Sequence, residues 1–411
     1  MSELGWVDFS SEDRELVRKV LAMVREPGTL DELGIGQIRD GFSDLLFPGI
    51  STIQTRAKYF VTVPQILRDY YDSRVISKKR KHVSLESYLK SEENYVAEIL
   101  TNLHGKDEKG IIGSTQIASG GVARRPSSVY WNGLRQFGIV NVKSSLAEFA
   151  RDYGKSTFIE EEASNEYGHD DLSQLRATQP VHLPKGINRN WKNELEISLT
   201  KPEAKFLVNK IRNAKSIEHS VVAQLYLNDL VDDTLQLNAA VRSSFMQLQT
   251  FMHEQDKVSD LCKKRMKTAE EFSFAMEGPH LRYNILLARK NNFENKVDEY
   301  EADFESWKKI ADKVFDSSSV DSWLDVSMTQ KINPTTRVFL QNYISAINTK
   351  KGNKTLDELV TKQAIHNKKK RSLLHKRLTH DSWMGIRRPD YRWNAAQPIL
   401  IDIQRGCNAK S

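Results

Sequence analysis

The 411 residues include 39% hydrophobic and 28% charged side chains, a composition typical of folded globular proteins and not of disordered chains. A chain of this length exceeds one ordinary hydrophobic core, so two or three domains are expected. No apolar stretch approaches the roughly 18 residues of a membrane span, and no basic region with a following apolar run opens the sequence. These features predict a cytoplasmic protein without membrane contact.

Positive charge is concentrated in two parts of the sequence. The formal net charge is +7, but residues 350–411 hold fifteen Lys and Arg against five Asp and Glu, and residues 54–81 hold eight against two. Clustered charge of one sign is typical of proteins that bind a polyanion, most often nucleic acid. The alternative is that these residues form the solvated faces of lysine-rich helices.

The amino-terminal part predicts short helices joined by tight turns. Apolar residues at helical spacing predict helices at 11–25, 29–33 and 38–46, and Ser51 or Thr52 then has the chemistry of a helix start. Three short helices followed by a basic element are typical of a helix-turn-helix or winged-helix module. A small helical core without nucleic-acid contacts is the alternative.

A second informative stretch begins after a helix predicted at residues 84–104. The pair Arg124-Arg125 leads into a helix that ends near Gly138, and Ile139-Val140 has the character of a short strand. Guanidinium groups beside the free amides of a helix start suit a phosphate group. The alternative is that the two arginines pair with local carboxylates.

Composition divides the chain into four predicted parts. They are an N-terminal, winged-helix-like basic domain at 1–160, an acidic linker with prolines at 161–190, a helical bundle at 191–349, and a basic helix and tail at 350–411. The tail is expected to dock on the rest of the protein. Its residues 383–393 interleave three aromatic residues with three arginines, which suits either base stacking or a docked terminus.

The bundle part shows clear boundary signals. Alternating apolar residues predict a strand at 195–199, and Thr200 with Pro202 and Glu203 predicts a capping box. Two long helices are predicted at 234–276 and 278–315, because Gly278-Pro279 interrupts the pattern. The fold class is therefore mainly α, with an N-terminal helix-turn-helix or winged-helix-like module, a C-terminal helical bundle and a few short strands.

The sequence predicts no cofactor and no catalytic residue. It contains neither a Walker-type phosphate loop nor a strand-linked GxGxxG motif. The two cysteines, Cys262 and Cys407, are too isolated for a disulfide framework or a zinc site, and Asp170-Asp171 lacks a second group of ligands. The chain is therefore not expected to be an enzyme, and no metal site is predicted.

The predicted nucleic-acid contacts are the basic residues of the charged clusters. They are Arg56, Lys58, Arg68, Lys78, Lys79, Arg80, Lys81, Arg124, Arg125, Lys368, Lys369, Lys370 and Arg371.

Several sequence blocks carry a resemblance to a known family. They are GWVDFS with LFPGISTIQTRAKYF, then RRPSSVYWNGLRQFGI, then GPHLRYNILLAR, and finally YRW with LIDI. Over most of its length the chain resembles an uncharacterised bacterial family with a domain of unknown function. The resemblance implies an accessory protein encoded beside helicase, phospholipase-D-like or methylase genes in phage-defence islands. It implies no catalytic residues.

The leading hypothesis is a non-enzymatic, DNA-binding subunit of a bacterial antiviral defence or DNA-processing system. Its partners would be nucleic acid, most simply DNA, and a helicase, nuclease or methylase of the same system. A protein-interaction scaffold for such a partner is the second hypothesis. The third is a nuclease built on Asp44, Asp170 or Asp171, although the sequence shows no acid and lysine spacing typical of two-metal sites.

Overall fold

Helices account for the regular structure in a computed structural model of the chain. The structure describes residues 31–76, 83–115, 122, 124–153, 180–186, 190–236, 244–311, 313–329, 331–385 and 387–409. The mainly α class is confirmed. In these ranges the pairing of extended backbone is limited to one isolated antiparallel bridge between Val140 and Val181, so the predicted short strands are not found there.

The α-helices of the described residues are numbered here in chain order. They are α1 (Gly36–Leu46), α2 (Tyr59–Ile76), α3 (Leu85–His104), α4 (Pro126–Gln136), α5 (Lys201–Asn213), α6 (Val221–Leu227), α7 (Val231–Gln236), α8 (Phe245–Glu254), α9 (Asp260–Lys290), α10 (Glu294–Ala311), α11 (Ser319–Val326), α12 (Pro334–Asn348), α13 (Asn353–Lys368) and α14 (Trp393–Asn408). A further helical stretch covers 146–153. No helix of the described part combines the length and the apolar character that crossing a membrane requires.

The described residues form two compact units, and each draws on two stretches of the chain. Unit 1 comprises residues 31–42 and 265–389, and unit 2 comprises residues 43–264 and 390–409. The predicted helix at 11–25 and most of the predicted linker at 161–190 lie outside the described residues.

The core of unit 2 is built where α2 packs against α4. The ring of Phe60 lies 4.9 Å from that of Tyr130 and 5.1 Å from that of Phe137. A Cβ atom on Gly133 would lie 2.5 Å from the carbonyl oxygen of Gly49, so glycine permits this close approach. The sequence therefore needs a glycine in the middle of α4.

The last helix, α14, packs against α5 in unit 2. A Cβ atom on Gly406 would lie 2.8 Å from the Cβ of Ala204, which shows how closely the two helices approach. At the start of α14, Trp393 stacks on Phe47 with 5.9 Å between the ring centroids. Ile399 and Leu400 of the same helix are buried.

Unit 1 has its own core around α9. Phe272 lies between Phe42 and Trp323, with ring centroids 5.6 Å away on each side. Arg282 is fully buried in the same helix and donates to Asp357 at 2.7 Å and to Glu301 at 2.8 Å. Pairing with two carboxylates offsets the cost of burying this guanidinium group.

The predicted helix break at Gly278-Pro279 is wrong, because α9 continues through it. Pro279 has no amide hydrogen to donate to the carbonyl of Ala275. Side chains bond to the two neighbouring carbonyls, those of Phe274 and Met276. Trp307 Nε1 donates to the Phe274 carbonyl at 2.8 Å, and His280 Nδ1 lies 2.7 Å from the Met276 carbonyl. The tertiary contacts thus override the local signal.

The two long helices predicted at 234–276 and 278–315 are divided at other positions. α8 begins with a capping box between Ser244 and Gln247, and α9 begins only at Asp260. After α9, Asn292 adopts a φ of 59°, a left-handed conformation that asparagine tolerates and that ends the helix before α10. The breaks are therefore made by turn residues, not by the proline.

The predicted helix start at Ser51 or Thr52 is also wrong, since α2 begins at Tyr59. Gln54 closes a turn instead, with its amide donating to the carbonyl of Ser51 at 3.2 Å and its side chain donating to the carbonyl of Gly49 at 2.9 Å. Pro64 lies inside α2.

The predicted strand at 195–199 is not found, because the backbone bends at Ile197 and Ser198 and pairs with no strand among the described residues. Its alternation is real, since Leu195, Ile197 and Leu199 are buried while Glu196 and Ser198 are exposed. The backbone amide of Ile197 bonds to the ring of His104 at 3.4 Å rather than to a neighbouring strand. The next signal, the capping box of Thr200 and Glu203, is confirmed.

Candidate nucleic-acid interface

A run of positive charge without a single acidic residue lies at the end of α13. Residues 359–380 contain seven lysines and arginines and no aspartate or glutamate, and we call residues 362–377 the basic segment. The helix α13 carries its first part, and two short 3-10 turns, Lys369–Arg371 and Leu373–His375, carry most of the rest. Four of the predicted contact residues, Lys368 to Arg371, lie here.

The cations of the basic segment face solvent. Lys369, Lys370, Arg371, Lys376 and Arg377 are all exposed. In the described part of the chain no carboxylate forms an ion pair with them, whereas Asp357, earlier on α13, is paired with Arg282 and Arg289. Like charges at this density repel one another, so a bound polyanion would relieve an unfavourable interaction.

A buried carboxylate holds the backbone of the basic segment in place. Glu32 is 2% exposed, and its Oε2 accepts hydrogen bonds from Ser372 Oγ at 3.1 Å, the Leu373 amide at 3.3 Å and Tyr283 Oη at 2.7 Å. Burial, together with the nearby Glu32 charge, raises the pKa of Tyr283 well above its ordinary value, so this hydroxyl stays a donor. The turn after Arg371 is thus fixed from below.

Three further side chains anchor the same segment. Asn367 donates to the backbone carbonyl of Asp31 at 2.8 Å. Lys290 donates to the carbonyls of Leu374 and Lys376, and Asn291 accepts from the Leu378 amide at 2.8 Å. Because the backbone is held by these bonds, the cations are presented from a fixed scaffold, which lowers the conformational entropy lost on binding.

The end of α13 tolerates this charge for a local reason. Lys369 has a φ of 51° and its amide donates to the carbonyl of Ile365, which closes the helix. The unpaired carbonyls at a helix carboxyl terminus favour nearby cations by about 0.3–1 kcal/mol. This term is small against the repulsion among several lysines, so it explains part of the cluster and not all of it.

Lys58 is not available for a phosphate group, contrary to the prediction. It is 3% exposed, and its Nζ lies 2.7 Å and 2.9 Å from the two carboxylate oxygens of Glu203. Contact with a phosphate would require this buried pair to break, which costs several kcal/mol. Sequence proximity could not reveal the partner, because it lies 145 residues away.

Arg56 is held inside unit 2 in a similar way. Its Nε donates to Asp402 at 2.9 Å, and Nη1 donates to Glu108 at 3.2 Å. Burial lowers the pKa of Arg56, but the two carboxylates outweigh that effect and raise it above its ordinary value. Its main role is therefore to tie the turn before α2 to α14.

The remaining predicted residues of unit 2 differ in their surroundings. Arg68 is half-buried and donates to the backbone carbonyl of Val181 at 2.9 Å. Arg124 is exposed, and the half-buried Arg125 forms the N-cap of α4 without a capping side-chain bond. The predicted contacts Lys78, Lys79, Arg80 and Lys81 lie outside the described residues.

A buried glutamate replaces the missing cap of α4. The carboxylate of Glu93 accepts from the backbone amide of Ser127, in the first turn of the helix that Arg125 caps. Burial raises the pKa of Glu93 to about 7, although the bond from Ser127 opposes the shift. Neither this glutamate nor Glu32 was singled out from the sequence, since a lone acid gives no local signal of burial.

The acids considered for a nuclease do not assemble into a site here. Asp44 accepts from Arg392 at 2.7 Å, and Asp170 and Asp171 lie outside the described residues. Across the ranges described above, no group of three or more His, Cys, Asp or Glu side chains is arranged to hold a metal ion.

Comparison with known proteins gives one match. A family model described as "Family of unknown function (DUF6361)" covers residues 1–405. No curated protein and no solved structure matches the chain.

Proposed function

We propose that this chain, which belongs to the family of unknown function DUF6361, is a non-enzymatic DNA-binding subunit of a bacterial antiviral defence or DNA-processing system. The observation that carries the proposal is the basic segment, in which seven cations occur without an acidic residue between positions 359 and 380. Its exposed lysines and arginines lie on a backbone held by Glu32 and Asn367. Such a surface suits the phosphate backbone of a nucleic acid.

The proposed contacts differ from the set that charge alone suggests. Lys368–Arg371, with the neighbouring Lys376 and Arg377, form its centre. Lys58 is not a proposed contact because it is buried. Arg56 is proposed to hold the turn before α2 in position rather than to contact DNA. Arg124 and the block Lys78–Lys81 stay as proposed contacts. Recognition through phosphates would be independent of base sequence, and a helix-turn-helix or winged-helix contact by the amino-terminal part remains an additional proposal.

A salt titration with matched variants tests the proposal. The triple variant Lys369→Gln, Lys370→Gln, Arg371→Gln removes three cations from the basic segment. The control Lys309→Gln, Lys313→Gln, Lys331→Gln removes three exposed lysines elsewhere in unit 1. Affinity for a short DNA duplex is measured by fluorescence anisotropy between about 50 and 200 mM salt, the range over which phosphate contacts are lost.

The wild-type logarithm of affinity should fall with the logarithm of salt concentration at a slope of about −5, as expected for five or six phosphate contacts. The basic-segment triple should flatten that slope by about 2 to 3, and the control should leave it nearly unchanged. Binding that is flat in salt, or equal losses in both triples, would refute the proposal. A single-stranded DNA and an RNA of the same length distinguish the class of nucleic acid.

A scaffold for a partner enzyme is the second candidate, and one surface feature favours it. Tyr95 and Leu103 on α3 are 51% and 55% exposed, and Ile99 lies between them on the same face at i, i+4 and i+8 spacing. An exposed apolar stripe suits a protein partner such as a helicase or nuclease. Tyr95→Ser with Leu103→Ser should abolish co-purification of a genetically neighbouring helicase or nuclease while the salt-dependent DNA binding persists.

A further inference from the structure

Two of the sequence blocks that carry the family resemblance, the one ending in STIQTRAKYF and the one made of YRW and LIDI, contribute residues to one pocket of unit 2. The pocket has a volume of about 800 Å³, within the range of small-molecule sites. Its walls come from the turn at 52–56, the loop at 108–110 and one face of α14 together with the residues just before it. The proposed DNA contacts at Lys368–Arg371 belong to unit 1 and take no part in it.

The first wall is fixed by buried side chains. Tyr130 Oη accepts from the amides of Thr55 at 2.9 Å and Arg56 at 3.1 Å, and it donates to the Arg56 carbonyl at 2.9 Å. Asp402 Oδ2 accepts from Arg56 Nε and from the Ala57 amide, both at 2.9 Å. Side chains from α4 and α14 thus hold the turn in one conformation, and this wall of the pocket is preformed.

The opposite wall contains backbone in an uncommon conformation. Tyr391 and Arg392 both lie in the left-handed region, with φ values of 51° and 72°. Two successive non-glycine residues in this region are costly, and such strain clusters at functional sites. Tyr391 is buried against Phe245, and Arg392 reaches back to Asp44 at 2.7 Å and to the carbonyl of Ile50 at 3.0 Å.

Internal bonds occupy the three carboxylates of the pocket. Asp402 and Glu108 bind Arg56, while Asp390 accepts from the amides of Arg392 and Asn394 at the start of α14. The two exposed cations of the pocket, Lys109 and Arg405, differ from these carboxylates in their surroundings.

Lys109 and Arg405 line the same pocket and are exposed, and no carboxylate of the described residues is in ion-pair contact with either. The hydrogen-bonding capacity that remains is therefore rich in donors and positive charge. A ligand that complements it carries an anionic group with several acceptor oxygens.

An apolar strip lies beside these cations. Leu235, Pro398 and Ile401 line the pocket and are only half-buried, so their side chains are partly open to solvent. Pro398, Ile401 and Arg405 follow one another at i, i+3 and i+7 spacing along one face of α14, which places apolar and cationic groups in sequence. A ligand in which a flat apolar group is joined to an anionic group would match this sequence of apolar and cationic side chains.

We propose that this pocket binds a nucleoside phosphate, with the phosphate group at Lys109 and Arg405 and the base against the apolar strip. The proposal goes beyond the DNA-binding function and rests on different residues in a different unit. No reaction of the ligand is involved, so the pocket would serve to sense or retain it.

Calorimetric titration of the full-length protein with ADP tests this assignment. Inorganic phosphate and adenosine serve as probes for the two halves of the ligand. The variants are Lys109→Gln with Arg405→Gln, which removes the cations, and Ala395→Phe, which fills the pocket beside the apolar strip. Lys143→Gln, an exposed lysine of unit 2 outside the pocket, is the matched control.

ADP should bind saturably, and more tightly than phosphate or adenosine alone. The cation variant should weaken ADP about tenfold, the filled pocket should abolish binding, and the control should change it less than twofold. The triple variant of the basic segment should bind ADP normally, which separates this site from the DNA surface. Absence of saturable ADP binding, equal binding of phosphate alone, or unchanged affinity in both pocket variants would overturn the proposal.

Discussion

The Nζ atom of Lys58 lies 2.7 Å from Oε2 of Glu203, and both side chains are nearly inaccessible to solvent. The same Oε2 accepts from the Thr200 amide at 2.8 Å, so one carboxylate serves the capping box of α5 and neutralises a buried lysine at the start of α2. The lysine that sequence analysis assigned to a phosphate surface is thus a structural residue of unit 2.

Breaking this pair from one side should unfold unit 2 more readily. Lys58→Met leaves the Glu203 carboxylate buried without its partner, and we expect the free energy of unfolding to fall by about 3–5 kcal/mol. The double variant Lys58→Met with Glu203→Met should recover most of that loss, because no buried charge remains. Urea unfolding followed by circular dichroism measures both. The control is Lys296→Met, which removes a half-buried lysine paired with Glu299 on the surface of α10 and should change the free energy of unfolding far less.

The variant Lys58→Met also distinguishes a structural role of Lys58 from a role in DNA contact. At a temperature where Lys58→Met is fully folded, its DNA affinity and salt slope should equal those of the wild-type protein. A flatter salt slope in folded Lys58→Met would restore this residue to the contact set.

The anchor at Glu32 should control both stability and presentation of the basic segment. Ser372→Ala removes one buried hydrogen bond and should lower the free energy of unfolding by about 1–2 kcal/mol. Hydrogen exchange of residues 369–377 should accelerate more than exchange in the rest of unit 1, and DNA affinity should decrease at unchanged net charge. Ser306→Ala is the control, because the exposed hydroxyl of Ser306 donates to the carbonyl of Ala302 within the same helix, α10. Uniform acceleration across unit 1 would contradict a local anchor.

Glu93 should make the free energy of unfolding fall as the pH rises. A carboxylate whose pKa is lowered in the folded protein has the opposite effect. Its folded-state pKa is raised to about 7 by burial, whereas the ordinary value is 4.5. Between these values the folded protein keeps a proton that the unfolded chain has released. This contribution to stability is complete below pH 4.5 and is lost as the pH rises through 7.

Glu93→Gln keeps the acceptor for the Ser127 amide and removes the titration. The variant should match the wild-type protein at pH 5 and exceed its free energy of unfolding at pH 8 by about 2–3 kcal/mol. Urea unfolding at both pH values gives the difference. Equal stabilities at pH 8 would show that Glu93 is not held in a raised-pKa environment.

Gly278 should be indispensable where α9 passes α10. A Cβ atom on Gly278 would lie 2.2–2.5 Å from the indole of Trp307, so Gly278→Ala forces the ring to move. We expect a loss of about 1–3 kcal/mol, typical of an overpacked core. Gly352→Ala, with nothing within 4 Å of the added atom, is the matched control and should cost less than about 1 kcal/mol in thermal or urea unfolding.

The features that were predicted correctly are those determined by residues close together in the sequence. The capping box of Thr200 and Glu203 occurs where the sequence places it, since its bonds join residues three apart. The alternating burial at 195–199 was also correct. No partner strand exists for it among the described residues, and the pattern of one segment carries no information about its neighbours.

Two features were missed for a long-range reason. Gly278-Pro279 continues a helix because Trp307 packs on the glycine and bonds to the nearby carbonyl of Phe274. The basic segment was visible because its charge is contiguous in sequence. Its anchor Glu32 was not, because that residue lies 340 positions from Ser372.

The bond between Asp402 and the amide of Ala57 joins residues 345 positions apart, and its consequence concerns the order of folding. The turn before α2 cannot take its final shape until α14 has been synthesised, although α2 to α8 leave the ribosome much earlier. Unit 2 therefore depends on contacts of high sequence separation, whereas the sequence of unit 1 is complete once residue 389 has been synthesised, before α14 is made. During synthesis, the half-built unit 2 exposes the apolar surface that α14 later covers, which makes a chaperone most useful at that stage.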